Sequence, residues 1–197
     1  MNYIEQIKDI ISKNNGIILT SDLAKAKIPR TYLSKLQDNC TIERISRGIY
    51  IFGEVLEDEM FCLQAKHKRT IFSHETALFI HDLTDKIPYT YTVTVPSGYN
   101  AGTLKENGLT VFFVKSELYE MGVCEKKSPH GNTIKVFNRE RTICDILRSR
   151  KKIDIQILNQ AIKEYIKEKS ANLNLLYDYA SRFKIQNIVR QYIEFLL

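Results

Sequence analysis

The chain has 197 residues, enough for one large domain or two small ones, and its 44% hydrophobic and 26% charged content is that of a folded protein rather than a disordered one. A formal charge of +6 favours an anionic partner, and half of that excess sits in the first 53 residues, which carry eight Lys and Arg against five Asp and Glu. No apolar run approaches the roughly eighteen residues of a membrane span, and the start MNYIEQIKDII lacks the basic opening and cleavage site of a secretory leader, so a cytoplasmic protein is expected. Cys40, Cys62, Cys124 and Cys144 show no C-x-x-C spacing, which argues against a disulfide framework or a zinc ribbon and for free thiols.

In chain order, residues 2–14 carry Tyr3, Ile4, Ile7, Ile10 and Ile11 at three-four spacing and read as an amphipathic helix stopped by Asn15-Gly16. Ile17 to Leu19 is a short apolar strand, and Thr20 or Ser21 caps a second helix. Pro29 suits the first turn of a third helix, in which Ile28, Leu33 and Leu36 face inward. Its outer face carries Arg30, Thr31, Ser34, Lys35 and Gln37, groups that match phosphate oxygens and base edges. The runs TIERI and GIYIF then flank Ser46-Arg47-Gly48 as a hairpin that carries Arg44 and Arg47, with Gly48 supplying a positive φ. Helix, strand, helix, turn, helix, hairpin is the order of a winged helix-turn-helix. The bland alternative is a small α+β lobe without a ligand.

The acidic run Glu54 to Glu59 marks the expected junction between a domain of residues 1–53 and a second of residues 54–197. Its carboxylates suit the start of a helix running from Leu56 to about Arg69. Another helix starts at Ser73, and Tyr89 to Val95 alternates like a half-buried strand. Leu109 to Val114 and Thr133 to Phe137 are further strands, separated by the loops 98–108 and 122–131. Helices capped by Asn138, Asp154 and Asn172, then a last apolar stripe from Ile188 to Leu196, predict a closing helical bundle. The expected fold is α+β: a winged helix-turn-helix, then a mixed sheet-and-helix domain ending in that bundle.

Other clusters of charged and polar residues resemble sites less closely. Arg148, Arg150, Lys151 and Lys152 are a possible second phosphate patch or partner surface, against the plainer reading of a basic helix end. His67, His74 and His81 repeat every seven residues, but a helix break at Thr70 to Ser73 and the lack of acidic or Cys ligands point to no metal. Glu140 and Asp145 lie on different helix faces, so a salt-bridge network is expected there instead of a nuclease centre. The loop Ser97-Gly98-Tyr99-Asn100-Ala101-Gly102 lacks phosphate-loop or dinucleotide spacing, and its purpose is open. Ser73-His74-Glu75 is not a triad, because adjacent helical side chains point apart. No catalytic residue and no cofactor are expected.

With RISRGIYIF, FSHETALFIHDL, YTYTVTVPSGYN and IKVFNRERTICDILRSR in this order, the chain resembles the AbiEi family of antitoxins from bacterial abortive-infection systems of the type IV toxin-antitoxin class. The likeness in motif order spans essentially the whole chain. It implies a winged helix-turn-helix that represses the protein's own operon at repeated operator sites. It also implies a second domain that neutralises a nucleotidyltransferase-like toxin without a stable complex. Asp82 stands where relatives commonly have glycine after HETALFIH. Two rivals remain open: a plain winged-helix regulator whose second domain dimerises or senses a ligand, and a nucleic-acid-processing enzyme.

Overall fold

The computed structural model describes residues 3–196; Asn2 and Leu197, expected at the ends of the first and last helices, lie outside them. The chain divides into two compact units, Met1–Lys68 with Lys127–Ile134, and Arg69–Lys126 with Lys135–Leu197.

The first unit runs α1 (Tyr3–Lys13), β1 (Ile17–Leu19), α2 (Thr20–Lys25), α3 (Thr31–Asp38), β2 (Ile42–Ser46) and β3 (Ile49–Phe52), with the strands ordered β1-β3-β2. Both pairings are antiparallel, and a bulge between Arg44 and Ser46 twists the hairpin. Ile7, Ile18, Leu23, Ile28, Leu33 and Ile42 form one buried cluster, so each helix places its apolar stripe against the short sheet. This is a winged helix-turn-helix. Its local ends differ from expectation. The cap position of α2 is Leu19, without a side-chain bond, and Thr20 is already helical. Pro29 stands in a turn before α3, where its carbonyl accepts from Tyr32 N at 3.2 Å, and Arg30 holds the cap position.

The unit continues past the expected division at residue 53 because a second cluster, Ile17, Ile49 and Cys62, binds the sheet to α4 (Glu59–Lys66). That helix is shorter than expected, and Leu56 before it is 74% exposed. Asp58, completely buried, caps it: Oδ1 accepts from Phe61 N at 3.1 Å, while Oδ2 accepts from Ser128 Oγ and from Asn132 Nδ2. These bonds tie the segment 127–134 to the same unit.

The second unit holds β4 (Ile71–Phe72), α5 (His74–Ile80), β5 (Thr92–Pro96), α6 (Gly102–Glu106), β6 (Thr110–Val114), most of β7 (Val123–Lys127) and of β8 (Thr133–Phe137), and α7 to α10. The five strands are ordered β6-β5-β4-β8-β7. β4 pairs antiparallel with β5 and parallel with β8, and β5 pairs parallel with β6, so the sheet is mixed. The strand expected from Tyr89 begins only at Thr92, and Tyr89 is fully exposed. Its alternation also misled: Thr92 and Thr94 are as buried as Val93 and Val95, because Thr92 N bonds to Thr76 Oγ1 and Thr94 Oγ1 bonds to Ser73 Oγ. β4, α6 and β7 fall in stretches expected to be loop or helix break.

The helices α7 (Arg139–Arg148), α8 (Ile155–Lys167), α9 (Leu173–Arg182) and α10 (Gln186–Leu196) make the expected bundle, with a core that includes Ile143, Leu147, Leu158, Ile162, Leu176 and Val189. Asn138, Asp154 and Asn172 cap the first three through their side chains. Asp82, at φ 57, takes the left-handed position that suits glycine.

At the centre lies Arg141, with no exposed side-chain surface. Its Nε donates to Asp145 Oδ2 at 3.0 Å, and Nη1 donates to the carbonyls of Leu118 and Met121, each at 2.8 Å. The guanidinium lies 4.2 Å from the Phe137 ring centre and 4.4 Å from that of Phe183. Burial lowers its pKa, and Asp145 opposes that shift. Arg141→Ala leaves Asp145 buried with only Arg148 beside it. The variant is expected to lose about 3–5 kcal/mol of stability by denaturant unfolding.

Candidate nucleic-acid interface

At 100° per residue, Arg30, Thr31, Ser34, Lys35, Gln37 and Asp38 fall within an arc of roughly 160° around α3, and Tyr32, Leu33 and Leu36 occupy the opposite side. Burial follows that division: the first six are exposed, Leu33 is buried, and Tyr32 and Leu36 are half-buried. All five helix residues predicted to face DNA therefore share one open surface. Asp38, which the sequence reading passed over, puts one carboxylate among them.

Lys35 Nζ lies 5.6 Å from the ring centre of Tyr32, which itself packs edge-on against Tyr3 at 5.3 Å. The ammonium is thereby aimed without being neutralised. None of Arg30, Lys35, Arg44 and Arg47 enters a salt bridge among the described residues, whereas Lys25, on α2, pairs with Asp22 at 3.1 Å. Lys27, exposed in the turn before α3 at φ 56, is a further cation that no sequence motif marks.

The wing is anchored where it leaves the sheet. Gly48, at φ 80, returns the chain from β2 to β3, and its carbonyl accepts from Thr20 N at 2.9 Å, tying the hairpin turn to the start of α2. A Cβ on Gly48 would lie 2.8 Å from Thr20 Oγ1, so glycine is required by both conformation and space. Arg47 projects from this turn and Arg44 from β2, both exposed, with Arg44 Nε reaching Ser46 O at 3.4 Å. Between the end of α3 and the wing lies an open depression of about 510 Å³ lined by Gln37, Cys40, Thr41 and Arg44, but also by Glu43 and Glu54. Those acids disfavour phosphate at that end, which leaves the Arg30 end of α3 and the Arg47 tip as the better anion-facing surfaces.

The second basic run is not a comparable patch. Arg148 pairs with Asp145 at 3.1 Å and stacks on Phe183 at 4.2 Å, while Arg150 Nη1 donates to Leu147 O at 3.1 Å, closing the end of α7. Lys151 and Lys152 remain exposed. Glu140 accepts from Tyr165 Oη at 3.2 Å and Asp145 holds two arginines, so the two carboxylates serve separate contacts. Among the described residues no three His, Cys, Asp or Glu side chains are grouped to hold a metal ion, and no helix is long and apolar enough to cross a membrane.

One expectation about Ser73 and His74 is overturned. His74 sits at φ 48, and this left-handed backbone swings its imidazole onto its neighbour, with Nδ1 3.0 Å from Ser73 Oγ and Nε2 3.1 Å from Ser149 Oγ. The ring stacks on Phe112 at 3.6 Å and is 3% exposed. It is a packed polar link between α5, β6 and the end of α7.

A family model described as transcriptional regulator, AbiEi antitoxin, matches residues 5–53, the winged helix-turn-helix just described. Over those residues the chain is similar to the AbiEi antitoxin family. The matched segment contains all seven predicted DNA-facing residues and ends one residue beyond β3. Among solved structures, the RV2827C protein from Mycobacterium tuberculosis is similar in fold, with a TM-score of 0.55 at 10% identity over 84% of this chain. The alignment covers 66% of that protein, just under two thirds of its length, and at this identity it speaks for the fold alone. Comparison with curated proteins gives no match.

Burial holds the His74 pKa down at about 4, below its ordinary 6.5, so the folded protein keeps the ring neutral while the unfolded chain takes up the proton. This contribution to stability is complete above pH 6.5 and is lost as the pH falls towards 4. Unfolding free energy is expected to fall across that window with a slope of up to about 1.4 kcal/mol per pH unit, and His74→Gln to flatten it.

Proposed function

We propose that the protein is an antitoxin and an autorepressor, which binds operator DNA of its own promoter through the AbiEi-type winged helix-turn-helix. The observation that carries this reading is the open, unneutralised face of Arg30, Thr31, Ser34, Lys35 and Gln37 beside a wing that presents Arg44 and Arg47, inside the segment matched to a regulator family. In this reading α3 enters the major groove, where Thr31, Ser34 and Gln37 reach base edges. Arg47, at the wing tip, enters the adjacent minor groove, whose concentrated negative potential favours a guanidinium. Arg30, Lys35 and Arg44 neutralise phosphates and set the salt dependence.

The second unit, with its buried ionic centre and helical bundle, takes the antitoxin role in this proposal. It opposes a nucleotidyltransferase-like toxin without a lasting complex, in the cytoplasm, and contributes no catalytic group or cofactor of its own. Repeated operator sites in the promoter complete the reading.

The test is a gel-shift titration of the full-length protein against its own upstream DNA and a scrambled duplex, at two salt concentrations. Selective, salt-sensitive binding is expected; equal binding to both duplexes would reduce the interface to a merely basic surface. Replacing Arg44 and Arg47 together with Ala is expected to weaken operator binding and to reduce the slope of log K against log salt by about 2, because each guanidinium, on a phosphate or in the minor groove, displaces about one counterion. An unchanged slope would remove the wing from the interface.

A further inference from the structure

Strand β6 ends the five-stranded sheet, with β5 on one side and, among the described residues, no strand on the other. Thr110 N donates to Tyr91 O at 3.0 Å and Val114 O accepts from Ser97 N at 2.7 Å, so residues 110, 112 and 114 turn their backbone groups towards β5. Val111 and Phe113 therefore direct their N–H and C=O groups outward. The two ends of the sheet are treated differently. The opposite edge, β7, reads VCEKK, and its exposed Glu125, Lys126 and Lys127 discourage pairing. β6 reads TVFFV, with no charge and no proline, and Phe113 is 44% exposed.

Cations stand on both faces of this edge. Lys105 Nζ, from α6, lies 5.7 Å from the ring centre of Phe113, and Lys152 Nζ lies 5.8 Å from that of Phe112, whose ring also stacks on His74. Both lysines are exposed and neither is in a salt bridge among the described residues. The nearest acids in sequence, Glu106 and Glu117, fall outside the strand, and Glu117 is paired with Lys115.

We propose that β6 is a docking edge for an extended acidic segment of another polypeptide, which adds a sixth strand through Val111 and Phe113 and places carboxylates against Lys105 on one face and Lys152 on the other. Main-chain pairing supplies affinity and the two lysines select the charge of the incoming strand. A second copy of this chain fits less well. Antiparallel self-pairing of the outward groups centres on Phe112 and brings both Lys152 ammonium groups over adjacent rings, where like charges repel. A nucleic-acid strand fits less well too, because it offers no regular alternation of donors and acceptors to the exposed backbone. The proposal uses only residues of the second unit and stands or falls independently of operator binding.

The test uses the full-length protein and a fluorescent peptide of two Thr-Glu-Glu-Val repeats, which projects carboxylates to both faces of a strand, read by anisotropy. The acidic peptide is expected to bind at least about tenfold more tightly than its Lys-for-Glu counterpart. Lys105→Glu with Lys152→Glu should reverse that preference. Val111→Pro removes one outward N–H without touching the ladder to β5, and should abolish binding. Methylating alternate backbone nitrogens of the peptide asks the same question with the protein unaltered, so a misfolded variant does not blunt the test. Equal binding of both peptides, binding indifferent to methylation, tighter binding of a single-stranded oligothymidylate, or self-association through β6 in sedimentation would each overturn the proposal.

Discussion

The second unit is arranged around one buried cation. Arg141 brings a guanidinium into the interior, where an unpaired charge would cost several kcal/mol, and the surrounding chain pairs its Nε and Nη1 while Nη2 is buried without a hydrogen-bond partner. Asp145, one helical turn on, supplies the opposite charge; the carbonyls of Leu118 and Met121 take the protons of Nη1; Phe137 and Phe183 face the guanidinium. Gly122, at φ 76, completes the site by absence: a Cβ there would lie 2.7 Å from Arg141 Cβ. A strand end, a loop, α7 and the residue after α9 are thereby held to a single point, which gives the unit a specific packing that an apolar core of the same volume would leave less determined.

The first unit solves a similar problem with a buried anion. Asp58 is shared between a helix cap and the polar groups of Ser128 and Asn132, residues some seventy positions away in sequence. The effect is to bind α4 and the 127–134 segment into the body of the winged helix-turn-helix. Removing residues 1–53 would accordingly expose Cys62, Phe61 and Ala65, which pack with Ile17, Leu19, Ile45 and Ile49.

The Arg141–Asp145 centre also accounts for which cations are taken up inside the fold. Arg141 and Arg148 are consumed by Asp145 and by aromatic rings, and Arg150 closes a helix end. On α3 and the wing, by contrast, no carboxylate is positioned to take up Arg30, Lys35, Arg44 or Arg47 among the described residues. Clustering of basic residues in sequence is thus a poorer guide to an anion site than the presence or absence of an acid within reach in the fold.

Local signals in the sequence determined the winged helix-turn-helix, the caps at Asn138, Asp154 and Asn172, the glycine turn at Gly48 and the outward face of α3, because each depends on residues within one or two helical turns. The exposure of Arg30, Thr31, Ser34, Lys35, Gln37, Arg44 and Arg47 was legible for the same reason. What only the tertiary structure decided depends on distant partners. The alternating Thr and Val of β5 predicted one wet face, but long-range bonds to Ser73 and Thr76 bury both. VCEKK became a strand because β8 pairs with it, not through its own propensity. The acidic run after Gly53 reads as a junction in composition, yet buried Asp58 and Cys62 carry the unit on to Lys68. A left-handed His74 bonding its neighbour, and a guanidinium at the centre of a core, follow from neighbours that no window of sequence contains.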